Sequence, residues 1–149
     1  MALKAALQAS LRLRGGSGSE KVAMAAAAAA GRLAGLSPYR LEDVQTAVAE
    51  ACLNAFEHGN AGHAGATVYL DFIVHRGGLK VVVRDRGPGF QPAVRPRPDL
   101  RQQLVSPLPC RGWGWFLIER LTDRVQVQVG NIGCTVVLYF NLKKEVAAP

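Results

Sequence analysis

The chain is short of cysteine and aromatic residues, and it has no long apolar run. Cys52, Cys110 and Cys134 are odd in number and scattered, with no C-x-x-C pair and no clustered histidines. That argues against a disulfide framework and against a structural zinc site. Aromatics make up only 7% of the residues, and none is interleaved with a run of arginines as in a nucleic-acid platform. The alanine run Ala25 to Ala30, between Lys21 and Arg32, is too short to cross a bilayer. It is a strong helix former. Gln8 and Arg12 interrupt the weak apolar stretch after Lys4, so the start does not read as a signal peptide. A soluble, cytoplasmic protein without a membrane partner is expected.

What is present fits one ordinary domain, residues 1–149, of which 49% are hydrophobic. The net charge of +7 comes largely from arginines dispersed along the chain, such as Arg12, Arg32, Arg76, Arg84, Arg101 and Arg124. Their dispersal suggests a solvated basic surface, or one aimed at an anionic ligand or acidic partner, and no direct nucleic-acid contact.

Ala6 to Arg14 alternates like a first strand. Ser17 and Glu20 have the spacing of a capping box and would open a helix running through Leu33 and closing near Gly35. Ser37-Pro38 starts a second helix, in which Leu41, Val44, Val48, Cys52 and Ala55 form an apolar stripe. Thr67–His75 and the run from Leu79 to Arg84 read as a hairpin turned at Arg76-Gly77-Gly78. The proline-rich stretch from Pro88 to Pro109 has the length of a lid, placed at about residues 91–110. A helix from Arg111 to Leu121 and two strands, Asp123 to Val129 and Cys134 to Leu142, complete the chain. Hairpin-joined strands with helices on one face imply an α+β two-layer sandwich with a mixed, mostly antiparallel sheet.

Three segments carry chemistry. In the second helix Glu50, Asn54 and His58 are spaced four apart and share one row. A carboxylate, an amide and an imidazole there can supply a base, a neutral oxygen ligand for a hard cation and a polar contact. Asp85 ends a strand on the side of Leu79, Val81 and Val83, where a carboxylate needs a partner. Gly87 and Gly89 follow it and let the backbone approach a ligand. Arg111-Gly112-Trp-Gly114 opens a helix whose N–H groups favour an anion. Alone, the Glu50 row favours a solvated helix face, Asp85 with its glycines is balanced between a surface turn and a site, and the Arg111 to Gly114 segment reads as a loop-to-helix joint. Trp113 and Trp115 either pack against lid or sheet or narrow the anion pocket. His63 and His75 read as ordinary loop and strand-end residues.

Glu50-x-x-x-Asn54 with His58-Gly59, then Asp85-x-Gly87-x-Gly89-Phe90, then Arg111-Gly112-x-Gly114, resemble in order the N box and two glycine boxes of the GHKL (Bergerat-fold) ATPase superfamily. The nearest likeness is to the anti-sigma-factor serine/threonine protein kinases. The resemblance implies ATP and Mg²⁺ as cofactors, with Asn54 as the metal ligand, Glu50 as general base and Asp85 reading adenine. It places His58, Gly87, Gly89, Arg111, Gly112, Gly114 and Thr135 around the nucleotide. The expected partners are a sigma factor and an anti-anti-sigma (STAS) protein whose Ser or Thr is phosphorylated, with homodimerisation possible. The alternative is a non-catalytic ATP-binding module that regulates by partner binding alone.

Overall fold

The computed structural model describes residues 7–15, 18–59, 66–86, 113–130 and 133–142. The expected lid at 91–110, and with it Gly87, Gly89, Arg111 and Gly112, lies outside the described residues. The elements are β1 (Leu7–Arg14), α1 (Ser19–Ala34), α2 (Pro38–Asn54), a π-helical turn (Ala55–Gly59), β2 (Thr67–His75), β3 (Gly78–Arg84), α3 (Trp113–Leu121), β4 (Arg124–Gly130) and β5 (Gly133–Asn141).

The strands form one five-stranded sheet in the order β1-β2-β3-β5-β4. Every neighbouring pair is antiparallel, which corrects the expectation of a mixed sheet. The reason is topological. The crossover through α3 delivers β4 to the edge, and the β4–β5 hairpin then returns β5 between β4 and β3.

Alternation decides what each strand buries. In β2 every second residue, from Val68 to Val74, is buried, and Leu79, Val81 and Val83 of β3 face the same way. Leu138 and Phe140 of β5 complete that surface. Against it α2 lays Val44, Val48 and Cys52, all fully buried, so most of the apolar stripe is the core contact. Phe72, Phe140, Leu70, Leu79 and Ile118 are each almost wholly removed from water. Each such burial is worth about 1.5–3 kcal/mol before the entropy of ordering is subtracted. Burial pushes the Cys52 thiol up to about 12, with Glu20 adding to the shift, so this thiol is a packing group rather than a nucleophile.

The helix ends follow their caps only in part. Ser37 accepts a hydrogen bond from the Arg40 N–H at 3.3 Å, with Pro38 in the first turn, as expected. α1 starts differently: Gly18 is its N-cap, in a left-handed conformation, and makes no side-chain capping bond. Ser19 Oγ instead donates to the Arg14 carbonyl at 3.0 Å, tying the helix start to the end of β1.

One arginine joins the two layers at the end remote from β1. Arg40 donates to Asp43 Oδ2 (2.9 Å), to the carbonyl of Leu121 (2.7 Å) and to Asp123 Oδ2 (2.5 Å). Its guanidinium also lies 5.5 Å from the Phe140 ring centroid. Asp123 in turn accepts from the Asn141 N–H at 2.7 Å. The end of α3 is thereby fixed to the start of α2 and to the sheet.

Candidate active site

Between α2, α3 and the sheet lies a cleft of about 250 Å³, counting the space open to solvent. Its lining is mostly apolar: Ala51 and Ala55, Val83, Trp115 and Ile118, and Val136. Asn54 and Asp85 provide the polar groups. A mostly apolar cleft with a few convergent polar groups is the usual form of a small-molecule site.

Asn54 is the last residue of α2. Its Nδ2 is shielded from solvent and has no hydrogen-bond partner among the described residues. A buried amide left unpaired costs about 1–3 kcal/mol, which makes Asn54 a candidate ligand contact. Asp85 sits just past β3, on the same side as Val83. Its N–H donates to the Cys134 carbonyl at 3.0 Å, and its Oδ1 accepts from the Cys134 N–H at 3.2 Å. The carboxylate at the strand end is thus held by the neighbouring strand and presented to the cleft.

That approach depends on Gly133. Its φ is +134°, and a Cβ there would lie 2.0 Å from the Asp85 carbonyl oxygen. Glycine lets β5 begin close enough for Cys134 to pair with Asp85.

Glu50 lies one turn before Asn54 and borders the first turn of α3. A Cβ built on Gly114 would stand 2.6 Å from Glu50 Oε2 and 3.5 Å from Asn54 Oδ1. The absence of a side chain at 114 is what admits both polar groups. Burial raises the pKa of Glu50, and the negative charge of Glu57 raises it further. A carboxylate so placed is a stronger proton acceptor than an ordinary glutamate.

Of the residues singled out in the sequence, Glu50, Asn54, Asp85 and Gly114 are therefore brought to one place. Thr135 is not. It pairs with Arg84 in the β3–β5 ladder, while Cys134 and Val136, on either side of it, are buried toward the helices. Alternation turns Thr135 to the opposite face, and Cys134 occupies the position beside Asp85. His58 falls in the π-helical turn, where the α-helical four-residue row no longer holds; its side chain lies outside the described residues. Trp115 lines the cleft, is 7% exposed and donates from Nε1 to Glu119 Oε1 at 2.8 Å.

The sequence reading missed the apolar floor. Val83 was legible by parity, two residues before Asp85, and Ala51 by its place one turn before Asn54. Ile118 and Val136 depend on packing and pairing between distant segments, which no local pattern announces.

With this geometry in hand, the comparisons with known proteins agree. The profile of the histidine kinase-like ATPase domain matches residues 18–140, and the chain belongs to that family. It is 34% identical over 110 residues to the serine-protein kinase RsbW of Bacillus pumilus, covering 70% of this chain and 67% of the relative. It is 31% identical over 94 residues to the anti-sigma F factor of Bacillus thuringiensis, covering 58% and 59%. The crystal structure of the RsbU and RsbW domains of Rv1364c from Mycobacterium tuberculosis superposes with a TM-score of 0.63 at 18% identity, over 91% of this chain and 32% of that one. This last likeness concerns the fold.

Proposed function

We propose that the chain is an ATP-dependent serine/threonine protein kinase of the anti-sigma type, which binds a sigma factor and phosphorylates a Ser or Thr of a STAS partner. The observation that carries this reading is the junction of Glu50, Asn54 and Gly114 at the end of a cleft that holds Asp85 at its other polar point. Relatives named serine-protein kinase and anti-sigma F factor support the same assignment.

The residues present fit a magnesium nucleotide. Asn54 offers a neutral amide oxygen to a hard cation, and its amide nitrogen is buried without a partner among the described residues. Asp85, oriented by Cys134, would accept a hydrogen bond from an exocyclic amine of the base. The apolar floor of Val83, Ile118 and Val136 would take the flat ring. Backbone N–H groups at the start of α3, left uncovered by Gly114, would face the phosphates. When bound, magnesium and ATP supply the transferable phosphoryl group and neutralise its charge. Glu50 would take the proton from the attacking hydroxyl, a role its raised pKa suits. Arg111, Gly112, Gly87 and Gly89 belong to the same proposal through their motifs, as does His58; homodimerisation and cytoplasmic residence also remain part of it.

The test is label transfer from radioactive ATP with magnesium to a purified STAS protein. Wild type is expected to transfer label. Glu50→Gln is expected to retain ATP binding and lose transfer by about a hundredfold or more. Equal transfer by both proteins would remove the base assignment, and no transfer by wild type would reduce the protein to a binding module.

A further inference from the structure

Trp115 is the largest side chain of the cleft wall, and the proposed chemistry leaves it without a task. Its indole is buried and donates from Nε1 to Glu119 Oε1, one turn along α3, at 2.8 Å. Ala51 and Ala55, one turn apart, line the same cleft from α2 and the π-helical turn after it. α2 and α3 pack together, and the two methyl groups leave the room that the indole takes. The resulting cleft is narrow. Its volume is about 250 Å³ with solvent-open space included, against the roughly 300–1,000 Å³ of ordinary small-molecule clefts.

We propose that Trp115, held by Glu119, is the specificity-determining wall of the nucleotide site, limiting how large a group the amine read by Asp85 can carry. This rests on the nucleotide reading of the cleft and adds a rule of selection to it. Trp115 and Asp85 line the same small cleft, so bulk attached beyond the Asp85 contact competes with the indole for space. An indole able to rotate would yield to such bulk. This one is anchored at its nitrogen by Glu119, and its ring is buried. The helix that carries it is tied down as well, since the Leu121 carbonyl at its end accepts from Arg40 at 2.7 Å. A closely packed wall that cannot withdraw discriminates by clash, and so rejects the larger of two otherwise similar ligands.

Anchoring α3 to the core does not require an indole. Ile118, three residues on, is wholly buried in the core and serves that purpose. Tryptophan brings in addition the width to close one side of a cleft, with a polar edge that its own helix satisfies. Asp85 and Trp115 thus act on different properties of a ligand. The carboxylate selects the group that is read, and the indole sets how much can be attached to it.

The experiment is titration calorimetry of ATP and of N6-benzyl-ATP, each with magnesium, into wild type and Trp115→Leu. The benzylated amine keeps one N–H for Asp85, so the analogue is short of space and not of a hydrogen bond. Wild type should bind the analogue at least about fiftyfold more weakly than ATP, and Trp115→Leu should bring the two within about fivefold. Glu119→Ala, which releases the indole, should relax the ratio at least about threefold, whereas Glu119→Gln, whose amide oxygen still accepts from Nε1, should keep the wild-type ratio. Asp85→Asn should weaken both ligands and leave their ratio in place, which separates the reading of the amine from the room around it. An unchanged ratio in Trp115→Leu or Glu119→Ala, with ATP still bound, overturns this proposal and leaves the nucleotide site standing. Equal binding of ATP and its analogue by wild type does the same. No binding of ATP by wild type removes the nucleotide site and the wall together. Should Trp115→Leu not fold, Trp115→Phe, whose smaller ring lacks the Nε1 bond, must still relax the ratio at least about threefold; the wild-type ratio there overturns the proposal.

Discussion

Glu50 packs its carboxylate against the backbone of Gly114, so closely that a methyl group at residue 114 would come within 2.6 Å of Oε2. The contact joins the C-terminal part of one helix to the first turn of another across some sixty residues of sequence. It makes residue 114 a sensor of where the proposed base stands.

Gly114→Ala should therefore separate activity from stability. Alanine is the better helix former by about 1 kcal/mol, while the Glu50 side chain must give way. The melting temperature should change by only a few degrees. Phosphotransfer should fall by at least about tenfold, because a displaced base no longer meets its proton. Calorimetric melting beside a phosphotransfer assay checks both.

Glu50→Gln carries a stability prediction with a definite sign. Burial, reinforced by Glu57, raises the Glu50 pKa in the folded protein. The folded state then binds the proton more tightly than the unfolded chain, and stability from this group is lost as pH rises through the raised value. At neutral pH the ionised carboxylate is a burden that glutamine lacks. The variant should melt higher than wild type near pH 7, and the advantage should vanish below the ordinary glutamate range. Phosphotransfer by wild type should decline on acidification at a higher pH than an unperturbed glutamate would set. Thermal melts and activity across a pH series test the two together.

Arg40→Ala should destabilise the fold by about 2–3 kcal/mol, since it strands Asp123 and the Leu121 carbonyl and loses the contact with Phe140. Arg40→Lys should recover little, because a single ammonium cannot span three acceptors in the plane of a guanidinium. Denaturant titration of the three proteins measures the difference.

Gly133→Ala should impair nucleotide binding from outside the cleft. The added Cβ would meet the Asp85 carbonyl at 2.0 Å, and the positive φ is itself unfavourable for alanine. β5 must withdraw, taking with it the Cys134 N–H that orients Asp85. A loss of stability of about 2 kcal/mol accompanied by weaker ATP binding is expected, whereas Gly130→Ala, whose Cβ would meet the Gly133 carbonyl oxygen at an ordinary 3.7 Å, should leave binding unchanged.

The residues that were legible in the sequence are those whose signal is local. Asp85 declared itself through strand parity, Asn54 and Glu50 through helical spacing, and Ser37-Pro38 through helix-start chemistry. What was misread depended on neighbours in space. Thr135 looked like a site residue until the pairing of β5 with β3 showed its side chain on the far face and Cys134 beside Asp85. His58 was placed by the same helical spacing, and its backbone falls in a π-turn after Asn54, with its side chain outside the described residues. The arginines looked scattered because alternation and strand order, not sequence proximity, collect Arg12, Arg84 and Arg124 on one surface.

Titration calorimetry of magnesium ATP into wild type and Asp85→Asn decides most directly whether the cleft is a nucleotide site. The asparagine oxygen can still accept from the Cys134 N–H, so the fold should persist with a near-normal melting temperature. Loss of the carboxylate's charge-assisted bond to the base should weaken binding by about 1.5–3 kcal/mol, a ten- to hundredfold rise in Kd. Unchanged affinity in a folded Asp85→Asn protein, or no heat of binding in wild type, would contradict it.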